Sequence, residues 1–376
     1  MNLEETKIEK KRKKKHKRNV SVVIALLLIF LILTTAAFFY LYTLYSGEKK
    51  EVIKVSAELE SSKQEIEQIR QDLKNGGYIT IADADEQAKA AAEAMSEDYK
   101  QRIRGYMENG DGTLTMLENI YSDMIVVPDI GVYRFFDVEK DLKQSKLDMS
   151  AFEYPEMNDD ETEYIGDVSY LAGNTKRGVD VSKFQGDIDW KKVQNDNIDF
   201  AYIRLGYRGY GSGKIVLDEK YEDNIAACNE IGMDCGVYFF TEAKNTEEAV
   251  EEAEFVIENL EGYSTQLPVV LDVEQSADVN ESRTKNITAE ERTEIIKAFF
   301  DRIEEAGYET MIYGNLKSLM IMTEYNKLED YRKWFAYYHY PLRFPYEIDI
   351  WQYRSTGTVD GITGDADLNI MFENEE

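Results

Sequence analysis

Two cysteines and two histidines in 376 residues leave little room for several common chemistries. Cys228, Cys235, His16 and His339 are too few for a zinc site, and they weigh against Ser-His or Cys-His nucleophilic catalysis. Basic residues are also scarce once the first 18 residues are set aside. Those 18 hold nine of the 44 Lys/Arg and three of the 73 Asp/Glu, so the remainder carries 35 basic against 70 acidic residues. A body of that sign repels phosphate, which argues against nucleic acid as a partner. Chemistry by carboxylates alone survives this filter, with no metal and no cofactor. The cysteines fit two arrangements outside a cell, a disulfide or a pair of buried free thiols.

The N-terminus reads most simply. A basic tail over residues 1–19 precedes 26 residues, Val20 to Tyr45, without a charge. A run of that length crosses a hydrocarbon core of roughly 30 Å with some tilt. It is longer than the apolar core of a cleaved signal peptide. Tyr40, Tyr42 and Tyr45 at its far end suit a membrane interface, and the positive-inside rule puts the tail in the cytoplasm and all that follows outside. The expectation is a single-pass anchor over residues 20–45 in a Gram-positive-type envelope. Residues 48–75 then place Val52, Val55, Leu59, Ile66, Ile69 and Leu73 at a and d spacing, with Ser62 in the remaining position. This is the pattern of a short coiled coil, hence a parallel homodimer stalk, or of one helix lying against the next domain. Residues 78–170 read as a small α+β region of unassigned role. It has an amphipathic helix near Asp85–Met107 and a hairpin formed by residues 124–127 and 132–136. Its aromatic residues suit a core or a binding groove. An acidic linker over residues 158–163 closes it.

From Arg177 onward, short apolar runs alternate with helical segments, the mark of a parallel β/α arrangement. Strands are expected at 178–181, 200–205, 235–240, 269–273, 310–313, 334–338 and 350–353, with helices at 219–231, 246–259 and 288–306. The last third has too few helices for eight full units. The stretch Leu267-Pro268-Val269-Val270-Leu271-Asp272-Val273-Glu274 organises this part. It begins as a strand buried on both faces and ends in two acids at i and i+2. Alternation points Asp272 and Glu274 the same way, roughly 6.5–7 Å apart along the strand axis, with Val273 turned into the packing behind. The C-terminal strand ends are where such barrels build active sites. Asp180 closes the first strand, and Asp367 lies in the final segment. Acids converging on one concave mouth raise one another's pKa, as a general acid and its charged partner require.

Several motifs stand in a telling order. They are Asp180-x-Ser182-x-x-Gln185-Gly186, Gly236-Val237-Tyr238, Asp272-x-Glu274, Trp334-x-Ala336-x-Tyr338, Trp351-Gln352-Tyr353 and Asp367-Leu368-Asn369. Together they resemble glycoside hydrolase family 25, the Chalaropsis-type lysozymes, over about residues 177–372. The resemblance implies an irregular TIM-like β/α barrel over residues 177–374, with five β/α units completed by short strands. It also implies N-acetylmuramidase activity, cutting the β-1,4 bond after N-acetylmuramic acid in peptidoglycan. In that reading Glu274 is the general acid, Asp272 steadies the substrate's N-acetyl group or attacks directly, and Asp180 and Asp367 complete the acidic cluster. Tyr238, Tyr338, Trp351 and Gln185 would contact the sugars. One departure stands out: Phe239 occupies a position where many relatives carry His.

Overall fold

The computed structural model describes residues 34–35, 59–68, 81–110, 112–157, 164–276 and 282–373. No helix among them is long and apolar enough to cross a membrane. Apart from Thr34 and Thr35, the expected anchor at residues 20–45 lies outside the described residues. Of the expected stalk, residues 59–68 are described and helical, with Leu59, Ser62 and Ile66 less exposed than their neighbours. Internal contacts group the chain into two compact units, residues 1–116 with 128–134, and residues 117–127 with 135–376. The first contains the helix Ile81–Asn109, on which Ala88, Ala91, Ala92, Met95, Tyr99, Ile103 and Tyr106 are the half-buried stripe. Met124–Asp129 and Val132–Asp137 pair as the expected hairpin.

In the second unit, eight strands close into a barrel. In chain order its elements are β1 (Thr175–Val181), α1 (Trp190–Asn195), β2 (Phe200–Arg208), β3 (Ile215–Leu217), α2 (Tyr221–Ile231), β4 (Asp234–Phe240) and α3 (Thr246–Leu260). They continue with β5 (Val269–Asp272), α4 (Ala289–Glu305), β6 (Thr310–Asn315), α5 (Leu316–Met320), β7 (Arg332–Ala336), β8 (Ile350–Gly357) and β9 (Ala366–Phe372). The strands from β1 through β2 and β4 to β8 run parallel, and β9 closes the ring antiparallel to both β8 and β1. β3 is an extra strand folded back on β2. Five helices link successive barrel strands, the five β/α units expected. The sequence reading missed two of those helices, α1 and α5, as well as β9. α1 and α5 span only six and five residues, too short to show a 3.6-residue period.

Strand alternation sorts the apolar residues into two layers. Phe200, Tyr202, Val270, Met311, Tyr313, Trp334, Ile350 and Met371 fill the barrel interior. Their sequence neighbours Ala201, Ile203, Leu271, Ile312, Phe335, Trp351 and Ile370 face outward into a larger core beneath the helices. Position 178 needs glycine because a Cβ there would sit 2.2 Å from the Phe200 ring. On the helical side, α4 buries Ile295, Ile296, Phe299, Phe300 and Ile303, one stripe at 3–4 residue spacing. A capping box holds its start: Thr288 accepts from the Glu291 backbone N–H while Glu291 reaches back.

The outer layer has a gap, because residues 337–349 between β7 and β8 form no helix. Residues 138–157 and 164–170 fill it with turns and two-residue strands. Phe152 packs on Trp351 and Phe372 at 5.7 and 6.0 Å, and Tyr154 packs on Tyr340 at 5.5 Å. Gln144 bridges to Tyr346, and the Glu139 N–H donates to the Tyr346 hydroxyl at 3.0 Å. Further upstream, Glu118 accepts from the Tyr337 hydroxyl at 2.7 Å. Residues 117–127, 138–157 and 164–170 thus supply packing that a longer β/α unit would otherwise give.

Candidate active site

At the C-terminal end of the strands lies a cavity of about 340 Å³ lined by Asp180, Asp272, Glu274 and Asp367. Ordinary strand geometry brings them together. Asp272 is the last residue of β5, and Glu274 follows two residues on, with Val273 buried in the outer core as alternation requires. Asp180 and Asp367 are direct cross-strand partners in the antiparallel β1–β9 pair, so they share a face and stand close. All four expected acids therefore converge.

Their environments differ. Asp180 is buried, and its Oδ2 accepts from Gln352 Nε2 at 2.7 Å and Asn369 Nδ2 at 2.8 Å. Burial outweighs those donors and pushes its pKa up to about 6. Asp272 is buried with Oδ1 unpartnered. Burial first, then the charges of Glu274 and Asp180, hold its pKa well above the usual carboxylate range, against the pull of Arg204. Glu274 is raised to about 6 by burial and by Asp180, while a hydrogen bond from Asn315 works the other way. Asp367 is raised to about 8, again by burial first, then by Asp180 and Glu274. Desolvation and like charge act in the same direction throughout, so the cluster holds protons that isolated acids would release by pH 5. It titrates as a unit.

The supporting residues form a connected set in which Tyr338 alone was given a role from sequence. Gln352 accepts at Oε1 from the hydroxyls of Tyr313 at 2.7 Å and Tyr338 at 2.6 Å while donating to Asp180. Trp334 donates through Nε1 to Asn369 at 2.7 Å, and Asn369 in turn donates to Asp180. Arg204, hydrogen-bonded through Nε to Asp218 at 2.7 Å, also lines the cavity. Asn315 caps α5, accepting at Oδ1 from the N–H groups of Lys317 and Ser318, which leaves its amide N–H₂ for Glu274. Trp334, Gln352 and Asn369 stand in the motifs quoted above, but alternation alone does not say which strand face turns inward. Asn315 gave no signal, because nothing local marks a five-residue helix.

Of the expected sugar-contacting residues, Tyr238, Tyr338 and Gln185 line the cavity. Tyr338 is 42% exposed and presents its ring at the rim. Gln185 is also part of the local scaffold. Its Oε1 accepts from the Ser182 N–H in a capping box, and its Nε2 reaches the Asp365 carbonyl at 3.3 Å. Trp351 must be corrected. It is fully buried on the outer face of β8, donates through Nε1 to the Tyr337 carbonyl at 2.7 Å, and lies outside the cavity lining. The physical reason is phase: Gln352 points inward, so its neighbour points out. Trp334 is the tryptophan at the site, stacked on Tyr202 at 4.6 Å. Phe239 likewise faces the outer core, and Phe240 lines the cavity. Cys228 and Cys235 are buried free thiols, whose pKa burial raises, in Cys235 to about 11.

The sequence model of glycosyl hydrolases family 25 matches residues 179–362. The uncharacterized protein YegX of Escherichia coli O157:H7 is 26% identical over 214 residues, 54% of this chain and 72% of that protein. Lysozyme M1 of Streptomyces globisporus is 26% identical over 204 residues, covering 51% of this chain and 66% of its own. Among solved structures, the modular autolysin LytC from Streptococcus pneumoniae is 25% identical with a TM-score of 0.49, covering 67% of this chain; the chain spans 57% of that autolysin. On the family match, residues 179–362 are a lysozyme-like glycosyl hydrolase family 25 domain, which supports a glycoside hydrolase.

Proposed function

We propose that the chain is a membrane-tethered N-acetylmuramidase that cuts the β-1,4 bond between N-acetylmuramic acid and N-acetylglucosamine in peptidoglycan beside its own membrane. The observation that carries the catalytic part is the convergence of Asp180, Asp272, Glu274 and Asp367 in one cavity with raised pKa values. Glu274, with a pKa near 6, still carries a proton in mildly acid medium and serves as the general acid at the glycosidic oxygen. Asp272 faces the same cavity and steadies the substrate's N-acetyl group as that group attacks the anomeric carbon. Direct attack by the carboxylate is the alternative two-acid scheme. Asp180 and Asp367 complete the acidic cluster and orient the sugar, with Asp180 raising the pKa of Glu274. Tyr238 and Tyr338 give the sugars aromatic faces.

The tether rests on the 26 uncharged residues behind a basic tail. If residues 48–75 are helical throughout, the stalk spans about 40 Å, which confines cutting to the inner wall, and the heptad spacing supports a parallel homodimer there. The test uses the full chain purified in mild detergent on insoluble peptidoglycan, with new reducing ends identified by mass spectrometry. Wild type should yield muramic-acid reducing ends, and Glu274→Gln should lose about a thousandfold or more in rate. Retention of wild-type protein on the wall without cleavage would replace this reading with a glycan-gripping anchor or an assembly component of an envelope machine.

A further inference from the structure

Behind the cavity, a second polar network fastens the loops that leave the barrel strands. The parallel register pairs Phe240 of β4 with Asp272 of β5. Two residues further along each chain, past the last paired residues, stand Glu242 and Glu274. Glu242 is 1% exposed and does not line the cavity. Its carboxylate accepts from the Ser276 hydroxyl at one oxygen, and from Ser282 at 3.2 Å and Thr284 at 2.8 Å at the other. Ser276 lies two residues after Glu274, and Ser282 and Thr284 lie farther along the same connection to α4. One buried carboxylate therefore holds the connection at two separated places.

Glu242 is itself held. Arg283 donates to its carbonyl at 3.3 Å and binds Glu248 through both terminal nitrogens at 2.8 and 2.7 Å. The Glu242 N–H donates to Glu252, which also accepts from Thr241 and from Arg208 Nε, each at 2.6 Å. Arg208 extends the ties to the Gly213 carbonyl and to α3 through the Glu248 carbonyl, each at 2.9 Å. Arg292 on α4 supplies a further positive charge beside Glu242.

We propose that Glu242 is a positioning residue for the general acid, setting the backbone that carries Glu274 through Ser276 without touching the substrate. A buried carboxylate satisfied by three hydroxyls is costly to remove, because its donors are then left unpaired. Loosening Ser276 lets Glu274 move and admits water around it. A misplacement on the order of 1 Å costs up to about a hundredfold in rate. Water also relieves the desolvation that raises the Glu274 pKa, so the alkaline limb of the pH–rate profile moves to lower pH.

This inference rests on Glu274 being the acid, and the test separates the two. Full-chain Ser276→Ala, Glu242→Ala and Glu242→Gln are compared with wild type and Glu274→Gln, with folding followed by near-ultraviolet circular dichroism. Ser276→Ala should lower kcat by about tenfold with KM within about twofold, leave Tm nearly unchanged, and shift the alkaline limb downward. Glu242→Ala should lower kcat and move the alkaline limb more strongly, with a lower Tm because three buried hydroxyls lose their acceptor, and Glu242→Gln, which keeps an acceptor oxygen, should recover part of the rate. An inactive Glu274→Gln alongside a Ser276→Ala protein with wild-type kcat and pH profile overturns the positioning role alone. Activity losses that follow only the folded fraction, with an unmoved alkaline limb, overturn it too. Unimpaired cleavage by Glu274→Gln overturns both readings.

Discussion

Asp180, Asp272, Glu274 and Asp367 form one group of acids at the barrel mouth, and Glu242, Glu248 and Glu252 form another behind it. Both are largely withdrawn from solvent, but their company differs. In the cavity, neighbouring carboxylates add to the cost of ionisation, and Arg204 alone opposes it at Asp272. Behind it, Arg208, Arg283 and Arg292 and several hydroxyls work against the desolvation of their acids. Acids facing one another form a site that exchanges protons. Acids facing guanidinium groups form a frame. Burial alone does not distinguish the two, since Glu252 is also raised, to about 7. What distinguishes them is the sign of what stands opposite.

The largest break in that contrast removes a cation from the frame. Arg208→Met leaves Glu252 buried without its guanidinium, at a cost of about 3–5 kcal/mol. Thermal unfolding should show the loss, and it should shrink as pH falls below about 7, where Glu252 is protonated in the folded state of both proteins. A denaturation midpoint unchanged at pH 7 would mean that the frame does not depend on its ion pair.

A smaller effect sharpens the other side. Asp180 is one of the charges that raise Glu274, so Asp180→Asn should let Glu274 ionise at lower pH. The alkaline limb of kcat/KM should then move downward, with a rate loss of about ten- to a hundredfold. An upward shift would show that the hydrogen bonds to Asp180, and not its charge, govern the acid.

The smallest effect is a gain. Asp367 has a folded pKa near 8, above its value of about 4 in the unfolded chain. The folded state thus prefers the protonated form, and stability declines as pH rises from about 4 through 8. Asp367→Asn removes that penalty. Its Tm should exceed wild type by about 2–5 °C at pH 7.5 and match it near pH 4. Equal Tm values at both pH values would show that the cluster stores no strain in charge.

Much of the barrel was legible because its signals are local. Apolar runs such as Val269–Leu271 mark buried parallel strands, and α4 announces itself with a capping box and a 3–4 residue stripe. Asp-x-Glu at a strand end gives the inward pair by alternation alone. β9 was harder, since Ala366-Asp367-Leu368-Asn369 mixes polar and apolar residues and follows a turn-rich stretch. Its strand character comes from pairing with both β8 and β1.

Composition, charge order and residue alternation were thus enough to set the chemistry to carboxylates, the strands to a parallel β/α order, and Asp272 and Glu274 to one face. Sequence could not decide which of two tryptophans meets the cavity, because both lie on strands and only closure of the ring defines an inside. Trp334 turned in and Trp351 turned out. Nor could it show that residues 138–157 and 164–170 cover the gap between β7 and β8, or that Glu242 grips the chain beyond Glu274. Those contacts join residues far apart in the chain, and their energy exists only once the barrel has brought them together.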